Sequence, residues 1–373
     1  MTARPLLFSA SLLTLCAEFR IVVLTVQRIG GRLPIAQPDL HMKYQKLGKS
    51  DLNASVVSFG TWGLGGGSVW SDLQVDDKHV GKLLDAAHEL GINYIDTAPV
   101  YGTGVSEELL GKALKEGRRQ NFLLQTKCSL NWRGEGGNFH YERDGDTVNN
   151  DTSAKAVRRD IEDSLRRLQT DYLDLIVVHY VCKSWPVQET MGALQDMVKE
   201  GKIRAIGLSN SQPADLDEYE QFGPVALVQE FYSLLSPFHG ADYFPVCTKH
   251  NTTFQVYGAL EEGFLTAPDF VDRSFPKGDI RSRLPWTEEP IKSAVHDLFR
   301  VMEPLTEKYH CTWSNLIQAW TLKQYPNLNL LTGFRHIETM ENTCHSLEIQ
   351  LSDEDAALLS KAAVPAQVPV LDK

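Results

Sequence analysis

A chain of 373 residues that is 42% hydrophobic and 23% charged has the core-forming capacity of a soluble globular protein and lies outside the composition of disordered chains. Its net charge of −11, from 37 basic and 48 acidic residues, argues against non-specific nucleic-acid binding, which needs a basic face to displace counterions from phosphates. The six cysteines, Cys16, Cys128, Cys182, Cys247, Cys311 and Cys344, lie far apart with no CxxC and no Cys/His pair at zinc spacing, so reduced thiols, a cytoplasmic location and no metal are expected.

Residues 1–41 differ from the rest: they carry Arg4, Arg20, Arg28 and Arg32 against Glu18 and Asp39. The stretch 6–26 is largely apolar but contains Glu18 and Arg20. Each costs about 2.5–3.5 kcal/mol at a bilayer centre, which argues against a spanning helix and against a membrane partner. The apolar run 6–17 lacks a convincing cleavage site for a secretory signal, and the acid-poor leader fits a transit peptide only loosely. A translation start at Met42, where a strand pattern begins at once, accounts for the segment more simply. The organisation expected is an N-terminal extension over 1–41 and one domain over 42–373.

From Met42 onward, short β-branched runs alternate with longer amphipathic stretches. Residues 43–47 and 54–57 flank Gly48-Lys49-Ser50-Asp51, which is turn chemistry for a hairpin. The run 56–59 then enters Gly60-Thr61-Trp62-Gly63. The following Gly63-Leu64-Gly65-Gly66-Gly67 lacks GxGxxG spacing and an acid after the next strand, and reads as a flexible loop. Residues 77–90 place Val80, Leu83, Leu84, Ala87 and Leu90 at helical spacing, closed by Gly91.

The same unit recurs. Strands are predicted at 93–96, 122–127, 173–179, 203–208, 226–229, 254–257 and 329–331, with helices at 107–115, 154–168, 188–199, 213–219, 242–250 and 290–309. Nearly every strand is a run of Ile, Val and Leu without alternation, as parallel strands buried on both faces require. Eight βα units over about 300 residues predict an α/β fold, a (β/α)8 TIM barrel preceded by a β-hairpin. A doubly wound open sheet is the runner-up, weakened by the missing GxGxxG. The connections 128–152 and 261–289 are long enough to wall a substrate pocket over the carboxyl face. The first carries Trp132, Phe139, His140 and Tyr141, the second Phe270, Phe275 and Trp286.

Barrel chemistry sits at the carboxyl ends of strands, and the polar residues fall there. Strand two ends at Asp96 with Tyr101 just beyond, strand three at Lys127 and strand four at His179. Strand five ends in Ser209-Asn210, strand six at Gln229 and strand seven at Tyr257. Singly, each has a plain structural reading: Asp96 as a cap, Tyr101 as a half-buried aromatic, Lys127 as a surface residue. Together at one mouth they are not explained by packing, because a lysine ending an apolar strand is desolvated and a carboxylate must answer it. A free phenol, with pKa about 10, is a poor donor at neutral pH. A nearby ammonium favours the phenolate and is expected to lower that pKa, which would make Tyr101 a useful acid. Asp96 would hold Lys127 charged and oriented, and His179 would hydrogen-bond the reacting oxygen. No serine or cysteine is paired with a base. A tunable acid without a nucleophile suits proton donation to a carbonyl oxygen while hydride arrives from a nicotinamide.

Four motifs in order resemble the aldo-keto reductase family over residues 42–362. They are Gly91-Ile-Asn-Tyr-Ile-Asp96-Thr-Ala-Pro-Val-Tyr101-Gly with Ser106-Glu107, then Gln125-Thr126-Lys127, then Leu165-Arg-Arg-Leu-Gln-Thr-Asp171-Tyr-Leu-Asp174 leading into His179, and Gly201-Lys-Ile-Arg-Ala-Ile-Gly-Leu-Ser209-Asn210. The pattern is most similar to the bacterial-type branch, including members that reduce methylglyoxal. The resemblance implies NAD(P)H-dependent reduction of an aldehyde or ketone, with Asp96, Tyr101, Lys127 and His179 as the catalytic tetrad. It implies Ser209, Asn210 and Gln229 on the nicotinamide carboxamide and Tyr257 stacked on its ring. Gly60, Thr61, Trp62, Gly258, Leu260, Gly333 and Arg335 are the further cofactor residues it implies.

Two departures stand out. Gly258-Ala-Leu-Glu261-Glu262-Gly263 occupies the place where the family commonly has Ser-Pro-Leu-Gly-Arg-Gly, and Glu341-Asn342 sits one residue early after Gly333-Phe-Arg335. Two acids near a pyrophosphate are unfavourable unless they point away. Arg335, with His336 as a second donor, is expected to favour NADP(H) through a guanidinium–phosphate contact, with NAD(H) as the alternative. The substrate expected is a small, partly apolar carbonyl compound. Two other readings are a cofactor-sensing regulatory subunit, since channel-associated relatives keep this fold and tetrad, and a dehydrogenase working in the oxidising direction. The sequence leaves the oligomeric state open.

Overall fold

The computed structural model describes residues 42–70, 75–115, 117–134 and 136–369; the expectations for residues 1–41, a leader or a start at Met42, lie outside them. Eight parallel strands close into a barrel: β1 Val57–Gly60, β2 Tyr94–Asp96, β3 Leu123–Cys128, β4 Leu173–Val178, β5 Ile203–Ser209, β6 Leu227–Phe231, β7 Thr253–Tyr257 and β8 Leu328–Gly333. Each strand pairs with its sequence neighbours, and β8 returns to β1 in the register Leu330↔Val57 through Gly333↔Gly60. All six residues of β4 and all five of β6 are buried, because one face fills the barrel and the other packs on helices. The expected (β/α)8 barrel is therefore the fold.

The hairpin pairs Tyr44–Lys46 with Asn53–Ser55. Its Leu47, Leu52 and Ala54 cluster with Tyr94, Leu175, Ala205 and Leu227, early residues of β2, β4, β5 and β6, so it closes the amino-terminal end of the barrel. Between the strands run α1 Asp77–Glu89, α2 Val105–Ala113, α3 Ala154–Leu168, α4 Val187–Lys199, α5 Pro213–Tyr219 and α6 Phe238–His250. α7 Ile291–Tyr309 and α8 Trp313–Lys323 precede β8, and α9 Ile337–His345 and α10 Asp353–Ala363 follow it. Local chemistry explains the ends of α3: the Ser153 side chain accepts from the Ala156 N–H, and Gln169 stops the helix in the left-handed region.

Several boundaries differ from the sequence reading. α6 begins four residues earlier than position 242, and Gly240 in its first turn is held by close approach to Tyr232 and Phe244 rather than by propensity. α8 is buried from Asn315 to Thr321 on every side, so it carries no apolar stripe to read. The stretch 128–152 is not a structureless loop. It folds into a three-stranded antiparallel sheet of Leu130–Asn131, Asn138–Arg143 and Asp146–Asn150, with Asp144 and Gly145 both at positive φ in the tight turn. The stretch 63–67 is packed rather than flexible: a Cβ on Gly65 would lie 2.6 Å from the Tyr101 carbonyl carbon, so the chain passes against the Tyr101 backbone where only glycine fits.

Candidate active site

The register Gly60↔Asp96 and Lys127↔Val177 brings the ends of β1 to β4 to one mouth. Lys127 is fully buried, and its Nζ donates to Asp96 Oδ1 at 2.6 Å, to the Thr97 carbonyl at 2.9 Å and to the Tyr101 hydroxyl at 3.1 Å. Thr61 ties the neighbouring turns together: its hydroxyl donates to the Asp96 carbonyl at 2.9 Å and accepts from Ser106 at 2.8 Å. The Tyr101 ring lies 6.1 Å from His179, edge to face, and 6.2 Å from Trp62. All four residues read from the strand ends thus meet.

Beneath them lies a buried polar ladder that sequence reasoning missed apart from Gln229. Asp96 Oδ1 also accepts from Gln229 Nε2 at 3.0 Å and from Gln125, whose own oxygen accepts from the Tyr94 hydroxyl. Gln255 accepts from Gln229 at 2.7 Å and donates to Asn329 at 2.7 Å. Ser58 completes the ladder by donating to Asn329 at 2.7 Å. A lone polar residue inside an apolar strand was the available signal.

Burial decides the acidities here. It pulls the Lys127 ammonium below its usual range, opposed by Asp96 and then by Glu107. It pushes the Tyr101 phenol well above 10, and Asp96, Tyr180 and Tyr141 add to the rise. That net direction corrects the expectation of a lowered pKa: desolvation of the phenolate outweighs the ammonium 3.1 Å from its oxygen. His179 is pulled well below 6.5 by burial, with Lys127 and His140 contributing, so its ring is neutral. Its buried Nδ1 has no hydrogen-bond partner among the described residues.

The other half of the mouth is a shelf. Ser209 donates to the Gln229 carbonyl at 2.8 Å. Asn210, at φ +47°, donates to the His179 carbonyl at 3.0 Å and accepts from the Tyr257 hydroxyl at 2.5 Å. The Gln229 amide nitrogen is spent on Asp96 and Gln255, which leaves its oxygen 3.4 Å from the Ser209 hydroxyl. The Tyr257 ring stands edge-on to Phe231 at 5.5 Å. Gly258 then turns the chain at φ +75°, leading to Leu260 and a short turn at Glu261–Gly263. Glu261 points away from the mouth: its buried carboxylate accepts from Ser233 and, at 3.1 Å, from Trp286 Nε1.

Beyond the paired ends Gly60 and Gly333, Arg335 is half-buried with its guanidinium 5.6 Å from the Trp70 ring. Arg281 stands 5.6 Å from the same ring. Burial and then Arg281 push the Arg335 guanidinium down, with Asp279 opposing, and no ion pair holds it among the described residues. His336 is exposed, and the Asn342 side chain donates to Ser314 at 3.1 Å.

Of the two long connections, the first reaches the mouth. His140 lies 4.4 Å from Tyr180 and 5.3 Å from Tyr141, and Tyr180 lies 5.5 Å from His179. Trp132, like Tyr101, packs against Ala98, Val100, Leu130 and Val148, whereas Phe139 is 66% exposed. The second folds on itself: Phe264, Phe270 and Phe275 pack together and Trp286 is wholly buried. Among the described residues no cluster of three or more His, Cys, Asp or Glu could hold a metal, and no helix is long and apolar enough to cross a membrane.

A tyrosine hydroxyl with a buried cation behind it and a neutral imidazole beside it, at the carboxyl mouth of a closed parallel barrel, is the equipment of carbonyl oxidoreductases that take hydride from a nicotinamide. The His179 nitrogen and the Arg335 guanidinium, neither of them paired among the described residues, fit that cofactor. A family model described as "Aldo/keto reductase family" matches residues 56–363, and the chain belongs to that family. It is 34% identical over 325 residues, 86% of this chain and 98% of the relative, to NADH-specific methylglyoxal reductase of Escherichia coli. It is 33% identical over 288 residues, 76% of this chain and 82% of the relative, to the aldo-keto reductase YhdN of Bacillus subtilis. Among solved structures, a glycerol dehydrogenase of Gluconobacter oxydans has a TM-score of 0.76 at 31% identity, covering 89% of this chain and 98% of its own. An aldo-keto reductase of Bacillus halodurans in its holo form has a TM-score of 0.67 at 28% identity, covering 88% and 98%. The chain is an oxidoreductase that carries out NAD(P)H-dependent reduction of carbonyl compounds.

Proposed function

We propose that Tyr101 protonates the carbonyl oxygen of a small aldehyde or ketone while hydride reaches the carbonyl carbon, giving the alcohol. One observation carries this reading. The Lys127 ammonium has three hydrogens and no lone pair, and its three partners are Asp96, the Thr97 carbonyl and Tyr101. In the last of these bonds the phenol oxygen must be the acceptor, so the Tyr101 proton is left to donate elsewhere. Burial keeps that phenol protonated until a substrate oxygen arrives. Lys127 then stabilises the phenolate left behind. His179, neutral and adjacent, hydrogen-bonds the same oxygen and fixes its approach.

The bound nicotinamide supplies the hydride. Tyr257 would carry its ring, Ser209, Asn210 and Gln229 would hold its carboxamide, and Gly60, Thr61, Trp62, Gly258, Leu260 and Gly333 would hold the rest of the cofactor. NADPH is favoured over NADH, against the NADH specificity in the name of the Escherichia coli relative, because a half-buried guanidinium with no ion pair among the described residues gains most from a phosphate dianion. The relatives named for methylglyoxal and for glycerol support a small oxygenated substrate, and the rim of His140, Tyr141 and Tyr180 suits one. The described cysteines, Cys128, Cys182, Cys247, Cys311 and Cys344, are all free thiols, which supports a reducing, cytoplasmic setting. Turnover of a panel of small aldehydes and ketones with NADPH and NADH in parallel tests the reading. No turnover above a Tyr101 variant would leave a cofactor-sensing role instead.

A further inference from the structure

Strand β6 presents two consecutive polar side chains to opposite faces, as the two-residue period dictates. Gln229 faces inward to Asp96. Glu230 faces outward, 1% exposed, and its Oε1 accepts from the Ser211 N–H at 3.1 Å and the Ser211 hydroxyl at 2.8 Å. The Ser211 hydroxyl also lies 2.9 Å from the Tyr243 hydroxyl of α6. Glu230 Oε2 has no hydrogen-bond partner among the described residues.

Ser211 follows Asn210, a non-glycine residue in the left-handed region, which persists only where surrounding contacts hold it. Asn210 in turn bridges the His179 carbonyl and the Tyr257 hydroxyl. A single chain of contacts therefore runs from Glu230 through Ser211 and Asn210 to the imidazole on one side of the mouth and the aromatic platform on the other.

We infer that Glu230 is a positioning residue: by accepting from the Ser211 N–H and hydroxyl it holds Asn210, and through Asn210 it holds Tyr257 and His179, in register for cofactor binding. The inference rests on the reading of Tyr257 as the nicotinamide platform. The titratable groups facing Glu230 are Tyr243 and Cys247 of α6, Asp215 of α5 and Tyr257 of β7, none of them a cation. Burial pushes the carboxyl up to about 8, with Ser211 opposing and Asp215 adding. Ser211 donates both of its bonds, so it holds the carboxyl in either protonation state and the lock needs only the acceptor oxygen.

The test is the dissociation constant of the full chain for NADPH and, separately, NADH, read by fluorescence quenching at pH 7. Glu230→Leu, which removes the acceptor, should bind both cofactors about tenfold more weakly. Glu230→Gln keeps an oxygen that accepts both Ser211 bonds and should stay within about twofold of wild type. A Glu230→Leu variant that binds as tightly as wild type overturns the inference, and so does a Glu230→Gln variant as weak as Glu230→Leu. Should Glu230→Leu not fold, Ser211→Ala, which removes the hydroxyl bond, should weaken both cofactors about threefold, and unchanged affinity overturns the inference. Tyr257→Leu separates the underlying reading: a large loss of affinity upholds the platform whatever Glu230 does, and unchanged affinity overturns both.

Discussion

The two halves of the mouth are built by different means. On β2 to β4 the proposed proton-transfer side is assembled from buried side chains that satisfy one another: Lys127 has three partners and Asp96 accepts from three donors on one oxygen. On β5 to β8 the proposed cofactor side depends on turns at Asn210, Glu261 and Glu262, all at positive φ, and on a guanidinium at Arg335 that no ion pair holds among the described residues. The contrast matches the two tasks. A proton donor must be preorganised, because reorganising dipoles at the moment of reaction forfeits catalysis. A cofactor shelf must instead admit and release a ligand, so part of its polar capacity is left for that ligand to satisfy.

If the proton side is the preformed one, a change there should strike turnover and spare cofactor affinity. Tyr101→Phe is expected to lower kcat by about 10³-fold while the NADPH dissociation constant stays within about twofold. Steady-state kinetics beside a fluorescence titration measures both, and a Phe variant with a tenth of wild-type turnover would break the comparison at its centre.

Lys127→Met should come next. It removes the cation that stabilises the phenolate, so kcat is expected to fall about 10²-fold. The basic limb of the pH–rate profile should also move upward, since a phenol without an ammonium beside it loses its proton less readily. The variant strands Asp96 in the barrel and should be less stable by about 3–5 kcal/mol in denaturant titration. An unmoved limb with normal turnover would reduce Lys127 to a structural role.

On the cofactor side the effects should be smaller and confined to binding. Arg335→Ala is expected to raise the NADPH dissociation constant about tenfold and leave NADH within about twofold. The ratio of the two constants is the quantity to follow, and a ratio that does not move removes Arg335 from the phosphate contact. The smallest effect is expected from a chain begun at Met42, whose kcat/KM and melting temperature should match those of the full chain. Loss of soluble, active protein would show that residues 1–41 are needed by the barrel.

Much of the barrel is written locally. Strands such as 173–178 are legible because a strand buried on both faces must be an apolar run, and Asp96, Lys127 and His179 stand out because each interrupts such a run at its carboxyl end. The Asp144-Gly145 turn was equally local, a hairpin signal inside a stretch read only as long loop. Other features acquire meaning only when the ring of strands closes. Gln125, Gln255 and Asn329 lie on three different strands as isolated polar residues, and only the barrel stacks them into the ladder that carries Asp96. α8 hid because helices and strand enclose it and erase the apolar stripe. The acidity of Tyr101 was decided in the same way. Its neighbours in chemistry were readable from sequence, but the sign of its shift depends on how deeply the fold buries the phenol and how far Lys127 stands from it. Desolvation and distance belong to the tertiary structure, whereas the identity of the charges belongs to the sequence.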